Sequence, residues 1–132
     1  RVLAKLPEDV RKQVVHREAW WNCDEACSLY ARAHSLVAME PHSCIMALAA
    51  GTPAIHYFSP FHGRKAWMFL DVGLAEWLID IDAESPATVL RAWERIHAHH
   101  EPARAKVKRA MDGVHRRSAE MMADVASALS LR

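Results

Sequence analysis

Three short apolar runs alternate along the chain with stretches in which apolar residues recur every three or four positions. The runs cover residues 35–39, 53–58 and 76–81 and show little polar alternation. Such runs are typical of strands in a parallel sheet, because that kind of sheet is covered on both faces. The order strand, helix, strand, helix, strand predicts right-handed βαβ units. We therefore expect an α/β fold with a Rossmann-like open parallel sheet flanked by helices.

The helical stretches carry their own start and stop signals. Asn22 is followed three residues later by Glu25, a capping-box pattern that predicts a helix over residues 23–33. Pro41 is favoured at the first position of the next helix, and Gly51 suits the position just after its end at residue 50.

Further elements are predicted on either side of these. A brief strand is expected at Val14 and Val15, and a helix over residues 64–72. Ser85 should cap a helix that reaches residue 100, and a last long helix should begin at Pro102. The apolar stripe of that last helix has helical spacing throughout and consists of Val107, Met111, Val114, Met121, Val125 and Leu129.

Composition and charge indicate one ordinary folded domain over residues 1–132. The chain is 52% hydrophobic and 25% charged, with a formal net charge of +1. It is too apolar and too neutral for intrinsic disorder, and it lacks the strongly basic balance that nucleic acid or an anionic membrane would require. The longest apolar run, residues 44–50, is far below the roughly 20 residues of a membrane-spanning helix. We therefore expect no nucleic-acid partner and no transmembrane segment.

Cysteine and histidine spacings do not indicate a metal site. Three cysteines cannot form a fully paired disulfide framework, which favours a reducing, cytoplasmic compartment. Cys23 and Cys27 lie one helical turn apart without a second pair, so we expect small core residues. For the run His97, His99 and His100 we expect a solvated helix end. No metal and no cofactor are predicted.

The first candidate site lies where the first predicted strand ends. Ligands bind at the carboxyl ends of the strands in open α/β sheets. There Glu40 and Pro41 lead to His42 and Ser43 in the first turn of a helix, where free N–H groups attract phosphate or carboxylate. An imidazole at this place can donate a hydrogen bond or act as a general acid. The alternative is structural: His42 bonds a neighbouring carbonyl and Ser43 caps the helix.

The second candidate site follows the second strand. His56, His62, Arg64 and Lys65 lie within ten positions of one another. Adjacent cations beside Gly63 could hold an anionic group. Cations oppose the dipole at a helix N-terminus, which favours a functional reason for their presence. The alternative is a solvated loop whose aromatic residues fold into the core.

A series of short motifs lies in a fixed order between residues 24 and 82. They are Glu40-Pro41-His42, Ala50-Gly51-Thr52-Pro53, the basic Lys65, and Asp71-Val72-Gly73-Leu74 before the last strand. In this order the stretch resembles the C-terminal half of the polysaccharide pyruvyl transferase family. That family has an Arg-x-His motif, a helix of small residues, a Gly-x-Pro turn, a loop with a basic residue and a Gly-containing segment.

The resemblance implies a two-domain, glycosyltransferase-B-like architecture in which two Rossmann-like halves face a cleft. It implies transfer of a pyruvyl group from phosphoenolpyruvate, as donor substrate, to a glycan or lipid-linked saccharide in exopolysaccharide biosynthesis. The N-terminal domain of the same protein would then be the missing partner, and the chain's start at Arg1 fits a cut. We expect this half to fold alone without catalysing the reaction.

The resemblance also implies roles for individual residues. His42 corresponds to the family's histidine, and Lys65 or its neighbour Arg64 to the basic residue of the later loop. Glu40 stands where the family has Arg, and a carboxylate there would repel phosphoenolpyruvate. Either Arg64 and Lys65 supply the missing charge, Glu40 faces a sugar hydroxyl, or the donor differs. The predicted site therefore comprises the catalytic His42 and the substrate-binding Glu40, Ser43, His62, Arg64 and Lys65.

Two other functions stay open at this point. The chain could be half of a sugar-nucleotide-dependent glycosyltransferase, because that fold shares the same topology. It could also be a non-catalytic module that binds a glycan or assembles with another domain. The Glu in place of Arg at position 40 favours the second of these.

Overall fold

Three parallel strands form one open sheet, as the apolar runs predict. The computed structural model describes residues 2–130, and the side chain of His62 lies outside that description. The strands are β1 (Leu36–Ala38), β2 (Ala54–Phe58) and β3 (Leu78–Asp80), in the order β1-β2-β3. In the register, Ala38 lies opposite His56 and His56 opposite Leu78. The predicted α/β class with an open parallel sheet is confirmed.

Helices connect and cover the strands. Within residues 2–130 the α-helices are α1 (Glu8–Arg11), α2 (Cys23–Tyr30), α3 (Pro41–Ala49), α4 (Met68–Asp71), α5 (Pro86–Ala98) and α6 (His100–Ser130). Short 3₁₀-helices occupy Leu3–Lys5, Pro60–His62, Arg64–Trp67 and Ala75–Trp77. No helix in this part of the chain is both long enough and apolar enough to cross a membrane.

The start of α2 and the end of α3 form as their sequence signals predict. The Asn22 side chain accepts a hydrogen bond from the backbone N–H of Glu25 at 2.8 Å. The Glu25 carboxylate in turn accepts one from the backbone N–H of Asn22 at 3.1 Å, which completes the capping box. Gly51 has a φ of +82°, a left-handed conformation that glycine adopts without a steric penalty.

Replacing Asn22 by alanine should lower the free energy of unfolding by about 1 kcal/mol, because the backbone N–H of Glu25 loses its side-chain acceptor at the start of α2. Ser85 offers a matched control, since it precedes α5 but its hydroxyl caps no N–H. Ser85→Ala should leave stability nearly unchanged. Urea unfolding of both variants checks this, and an equal loss in the two would contradict a specific role for the capping box.

Several local predictions are wrong. Val14 and Val15 belong to no strand, and no neighbouring chain segment pairs with them in the described structure. Residues 64–72 are divided between the 3₁₀-helix Arg64–Trp67 and the short α4 instead of forming one helix. The last helix begins at His100 instead of Pro102, because a proline is tolerated within the first helical turn, where its missing N–H has no intrahelical partner.

Cys23 and Cys27 are exposed, so the expectation that they are core residues is also wrong. The reason is the orientation of α2. Its inward face carries the buried Ala26 and Tyr30, whose hydroxyl bonds to Ser43 of α3. Only one face of α2 packs against the rest of the chain, and the two cysteines lie outside that face.

The core lies between the sheet and the helices that cover it. Its fully buried larger side chains come from β2, α3, α4, the segment before β3, α5 and α6: Ile55, Cys44, Phe69, Leu74, Ile96 and Val107. The helix α6 enters this core only with its first part. Beyond Val114 its side chains are exposed, so the predicted stripe is buried at Val107 and leaves Leu129 in solvent.

Candidate functional site

A cleft of about 470 Å³ opens where β1 and β2 end. This is the edge at which open α/β sheets bind ligands. Its walls come from the end of β1, the first turn of α3, the middle of β2 and the 3₁₀-helix that follows β2. The lining residues are Met39, Glu40, Pro41, His42, His56, Lys65 and Ala66.

Glu40 and His42 form a hydrogen-bonded pair at the mouth of this cleft. Glu40 is the N-cap of α3, and its Oε1 accepts a hydrogen bond from the backbone N–H of His42 at 3.2 Å. The same oxygen lies 2.6 Å from Nδ1 of the His42 ring. Because an ionised carboxylate can only accept, Nδ1 carries the proton of this bond. The Glu40 carboxylate is therefore held by two hydrogen bonds from His42, one from its backbone and one from its ring.

The charge of Glu40 is stabilised at this position. The hydrogen bonds from the ring and then the backbone of His42 lower the pKa of Glu40, and the positive charge of Lys65 adds to this. The carboxylate thus remains ionised at neutral pH and accepts the hydrogen bond from Nδ1 of His42. The His42 side chain is 68% exposed, so Nε2 is accessible to a ligand.

The structural alternative for this turn does not match the geometry. The ring of His42 contacts a carboxylate instead of a carbonyl, and the cap of α3 is Glu40 instead of Ser43. The Ser43 hydroxyl accepts a hydrogen bond from Tyr30 at 3.2 Å, which fixes it towards α2. Ser43 is accordingly not among the residues that line the cleft.

Of the two adjacent basic residues after β2, one lines the cleft and the other does not. Lys65 lines the cleft, while the guanidinium carbon of Arg64 lies 4.9 Å from the centre of the Trp67 ring. Arg64 thus stacks on an aromatic side chain and does not line the cleft. His62 was predicted to bind substrate, but its side chain lies outside the described atoms. Of the predicted site residues, the structure brings Glu40, His42 and Lys65 together.

His56 also lines the cleft; the sequence places it in the second candidate site but not among the predicted substrate-binding residues. Its side chain is almost fully buried, and Nδ1 lies 3.1 Å from the carbonyl oxygen of Ala38 in β1. The ring packs against Phe58 and Phe69, with centroids 6.2 Å and 5.6 Å away. An imidazole within an otherwise apolar and aromatic strand was the available signal, because a buried polar group requires a specific partner.

A second histidine cluster lies away from the cleft, where residues just before β1 meet α5 and α6. His97 Nδ1 lies 3.2 Å from His34 Nε2, and His100 Nε2 lies 2.9 Å from the backbone oxygen of His34. The expectation of a solvated helix end is confirmed for the exposed His97 and His99, whereas His100 is half-buried and stacks on His34 with ring centroids 4.0 Å apart. Within the described residues, no group of three or more His, Cys, Asp or Glu side chains is arranged to hold a metal ion.

This cluster should make stability depend on pH. Desolvation by its neighbours, followed by the charges of His100 and His97, lowers the pKa of His34. In the unfolded chain His34 binds its proton near the ordinary value of about 6.5. Below that pH the unfolded state binds more protons than the folded state, so stability falls as the pH falls.

Urea unfolding at about pH 7.5 and about pH 5.5 measures this loss. We expect the loss to be smaller in His34→Gln than in the unaltered chain. His99→Gln is the control, because His99 is an exposed neighbour outside the hydrogen-bonded cluster. An unaltered loss in His34→Gln would show that other groups cause the pH dependence.

The cleft combines three chemical capacities. Its carboxylate–imidazole pair can transfer a proton, its Lys65 can neutralise an anion, and His56 offers a ring nitrogen at its floor. No protein-family model, curated protein or solved structure matches the chain. A function is therefore inferred from these residues and from the order of the motifs around them.

Proposed function

We propose that this chain is the C-terminal half of a polysaccharide pyruvyl transferase-like enzyme, which transfers a pyruvyl group from phosphoenolpyruvate to a glycan. The observation that carries the proposal is the Glu40–His42 pair, 2.6 Å apart, beside Lys65 at the carboxyl end of β1. His42 and Lys65 are the two residues that correspond to the family's motif histidine and basic loop residue. Their presence in one cleft supports a shared role.

The reaction requires proton transfers that such a pair can perform. The methylene carbon of phosphoenolpyruvate gains a proton and becomes a methyl group, while two sugar hydroxyls bond to the neighbouring carbon. The bond from that carbon to the phosphate oxygen breaks. The two hydroxyl protons are thereby accounted for, one in the methyl group and one on the released phosphate.

His42 is suited to pass one of these protons. Glu40 holds Nδ1, so Nε2 is the nitrogen that gives or takes the proton. The hydrogen bond to the carboxylate also holds the imidazole ring in one orientation. This geometry gives Glu40 a function in the place of the family's Arg, namely to orient and support His42.

Lys65 then supplies the positive charge for the donor. Phosphoenolpyruvate carries a phosphate and a carboxylate, and the net charge of the chain is only +1. Any attraction for this anion must therefore be local. Lys65 lines the cleft, whereas Arg64 stacks on Trp67, so Lys65 is the better of the two candidates.

The remaining parts of the proposal concern the rest of the enzyme. A second, N-terminal Rossmann-like half would face the carboxyl ends of the strands and close the cleft, as in a glycosyltransferase-B-like architecture. The acceptor, a glycan or a lipid-linked saccharide, would enter between the halves. The open position of the cleft at the strand ends is compatible with such a partner.

Donor binding by the full-length enzyme tests the proposal. Lys65→Ala should weaken binding of phosphoenolpyruvate about 10- to 100-fold in calorimetric titration, because a hydrogen bond to a charged group is lost. Lys108→Ala is the control, since Lys108 pairs with Asp112 on α6. Binding of a sugar nucleotide without phosphoenolpyruvate would favour a glycosyltransferase. Binding of glycans with no donor at all would favour a non-catalytic module.

A further inference from the structure

We infer that the floor of the cleft is a hydroxyl-binding subsite, in which Nε2 of His56 accepts a hydrogen bond from a hydroxyl group of a sugar. This subsite is separate from the anion-binding side formed by His42 and Lys65. The inference deepens the proposed function, on which it rests for the identity of the ligand as a saccharide acceptor. It follows from the way in which β1 and the aromatic core hold the His56 ring.

The backbone of β1 determines which ring nitrogen carries the proton. Nδ1 of His56 lies 3.1 Å from the carbonyl oxygen of Ala38, the residue opposite it in the parallel register. A carbonyl oxygen can only accept a hydrogen bond, so Nδ1 must donate. In the neutral ring the other nitrogen, Nε2, then has a lone pair and no proton. His56 is thus a hydrogen-bond acceptor at Nε2.

Nε2 is also the nitrogen that a ligand can reach. Within the described part of the chain, every fully buried side-chain nitrogen or oxygen has a hydrogen-bond partner. The described hydrogen bonds of His56 include one at Nδ1 and none at Nε2. Because the residue lines the cleft, the remaining accessible part of its ring is the part that faces the cleft.

The surroundings hold this acceptor in a fixed orientation. The ring is 2% exposed and packs against Phe58 and Phe69, and no described salt bridge involves it. His42 differs in each respect, since its ring is exposed and contacts a carboxylate. His42 is therefore placed to contact an anion or to transfer a proton. His56 is placed to accept a hydrogen bond from an uncharged donor such as a hydroxyl group.

A hydroxyl group fits this acceptor better than a phosphate or a carboxylate does. The oxygens of a carboxylate or of a fully ionised phosphate ester bring no proton to Nε2, whereas a sugar hydroxyl brings one. The apolar atoms of Met39, Pro41 and Ala66 around it can contact the C–H groups of a sugar ring. The floor of the cleft at His56 and its mouth at His42 thus favour different ligand chemistry.

Nuclear magnetic resonance of the chain with labelled histidine rings tests this subsite. Two probes are used: a panel of methyl glycosides of glucose, galactose and mannose, and inorganic phosphate. We expect Nδ1 of His56 to carry a proton that is hydrogen-bonded to Ala38. At least one glycoside should shift the Nε2 signal of His56, and inorganic phosphate should shift the signals of His42 instead.

Two variants separate hydrogen bonding from packing. In His56→Asn the amide nitrogen can still donate to Ala38 but nothing replaces Nε2, so glycoside affinity should fall about 2- to 10-fold. His56→Gln places its amide near the former Nε2 and should retain part of that affinity. Both variants should keep the response of His42 to phosphate, and thermal unfolding confirms that they are folded.

The outcomes distinguish this inference from the proposed function. A His56 ring protonated at Nε2, a response of His56 to phosphate alone, or no response to any glycoside would overturn the hydroxyl subsite. If phosphoenolpyruvate still binds at His42 and Lys65 in that case, the proposed function stands. If a glycoside shifts His56 while phosphoenolpyruvate binds nowhere, the subsite stands and the proposed donor is wrong.

Discussion

The proposed function predicts that replacing His42 by alanine lowers the rate of pyruvyl transfer in the full-length protein by about 10²–10⁴-fold, because a positioned proton-transfer group is lost. The fold should be retained, since the ring is exposed and its described hydrogen bond is the one to Glu40. Release of inorganic phosphate from phosphoenolpyruvate measures the rate. We expect the loss in kcat, with a smaller change in KM for the donor.

Two companion variants make this result specific. His99→Ala removes an exposed histidine outside the cleft and should leave the rate unchanged. Glu40→Gln keeps an oxygen for the N-cap and for the hydrogen bond to Nδ1 but removes the charge of the carboxylate, so the rate should fall by less. A rate that is unaltered in His42→Ala would remove His42 from the mechanism.

Features determined by neighbouring residues could be predicted from the sequence. The capping box of Asn22 and Glu25, the proline that starts α3 and the left-handed Gly51 each depend on a few adjacent positions. The three strands followed from their apolar composition. The placement of His42 in the first turn of α3 belongs to the same class, because the strand end and the helix start adjoin in the chain, whereas its hydrogen bond to Glu40 was not predicted.

Contacts between distant residues could not be predicted in this way. His56 and Ala38 are 18 positions apart, and His34 and His97 are 63 apart. No local pattern brings such pairs together, because the strand register and helix packing do so. The same limit explains why Cys23 and Cys27 were placed in the core. A helix stripe shows that one face is apolar, but tertiary packing decides how much of it is covered.

Local patterns also fail where a regular element has no neighbour. Val14 and Val15 have the composition of a strand, yet a strand exists only where another strand pairs with it. The stripe of α6 has helical spacing along its whole length, but burial is limited to its first part, with Val107 inside and Leu129 outside. The spacing gave the secondary structure correctly, and the extent of the core determined which residues it buries.

Phe69→Ala is expected to lower the free energy of unfolding by about 3–5 kcal/mol, since the fully buried ring leaves a cavity that its neighbours fill only in part. A loss of that size is a large fraction of the roughly 5–15 kcal/mol that stabilises a typical domain. Phe61→Ala is the matched control, because the Phe61 side chain is 95% exposed and should contribute less than about 0.5 kcal/mol. Urea unfolding measures both changes.

The same substitution should affect the cleft through His56. The Phe69 ring lies 5.6 Å from the imidazole and forms one side of the packing that fixes it. With that support removed, the hydrogen bond from His56 Nδ1 to Ala38 should weaken, and the proton should exchange between the two ring nitrogens in the folded variant. A nuclear magnetic resonance spectrum in which His56 remains fixed on one tautomer would show that β1 alone orients the ring. A small stability loss would show that the core around β2 closes over the missing side chain.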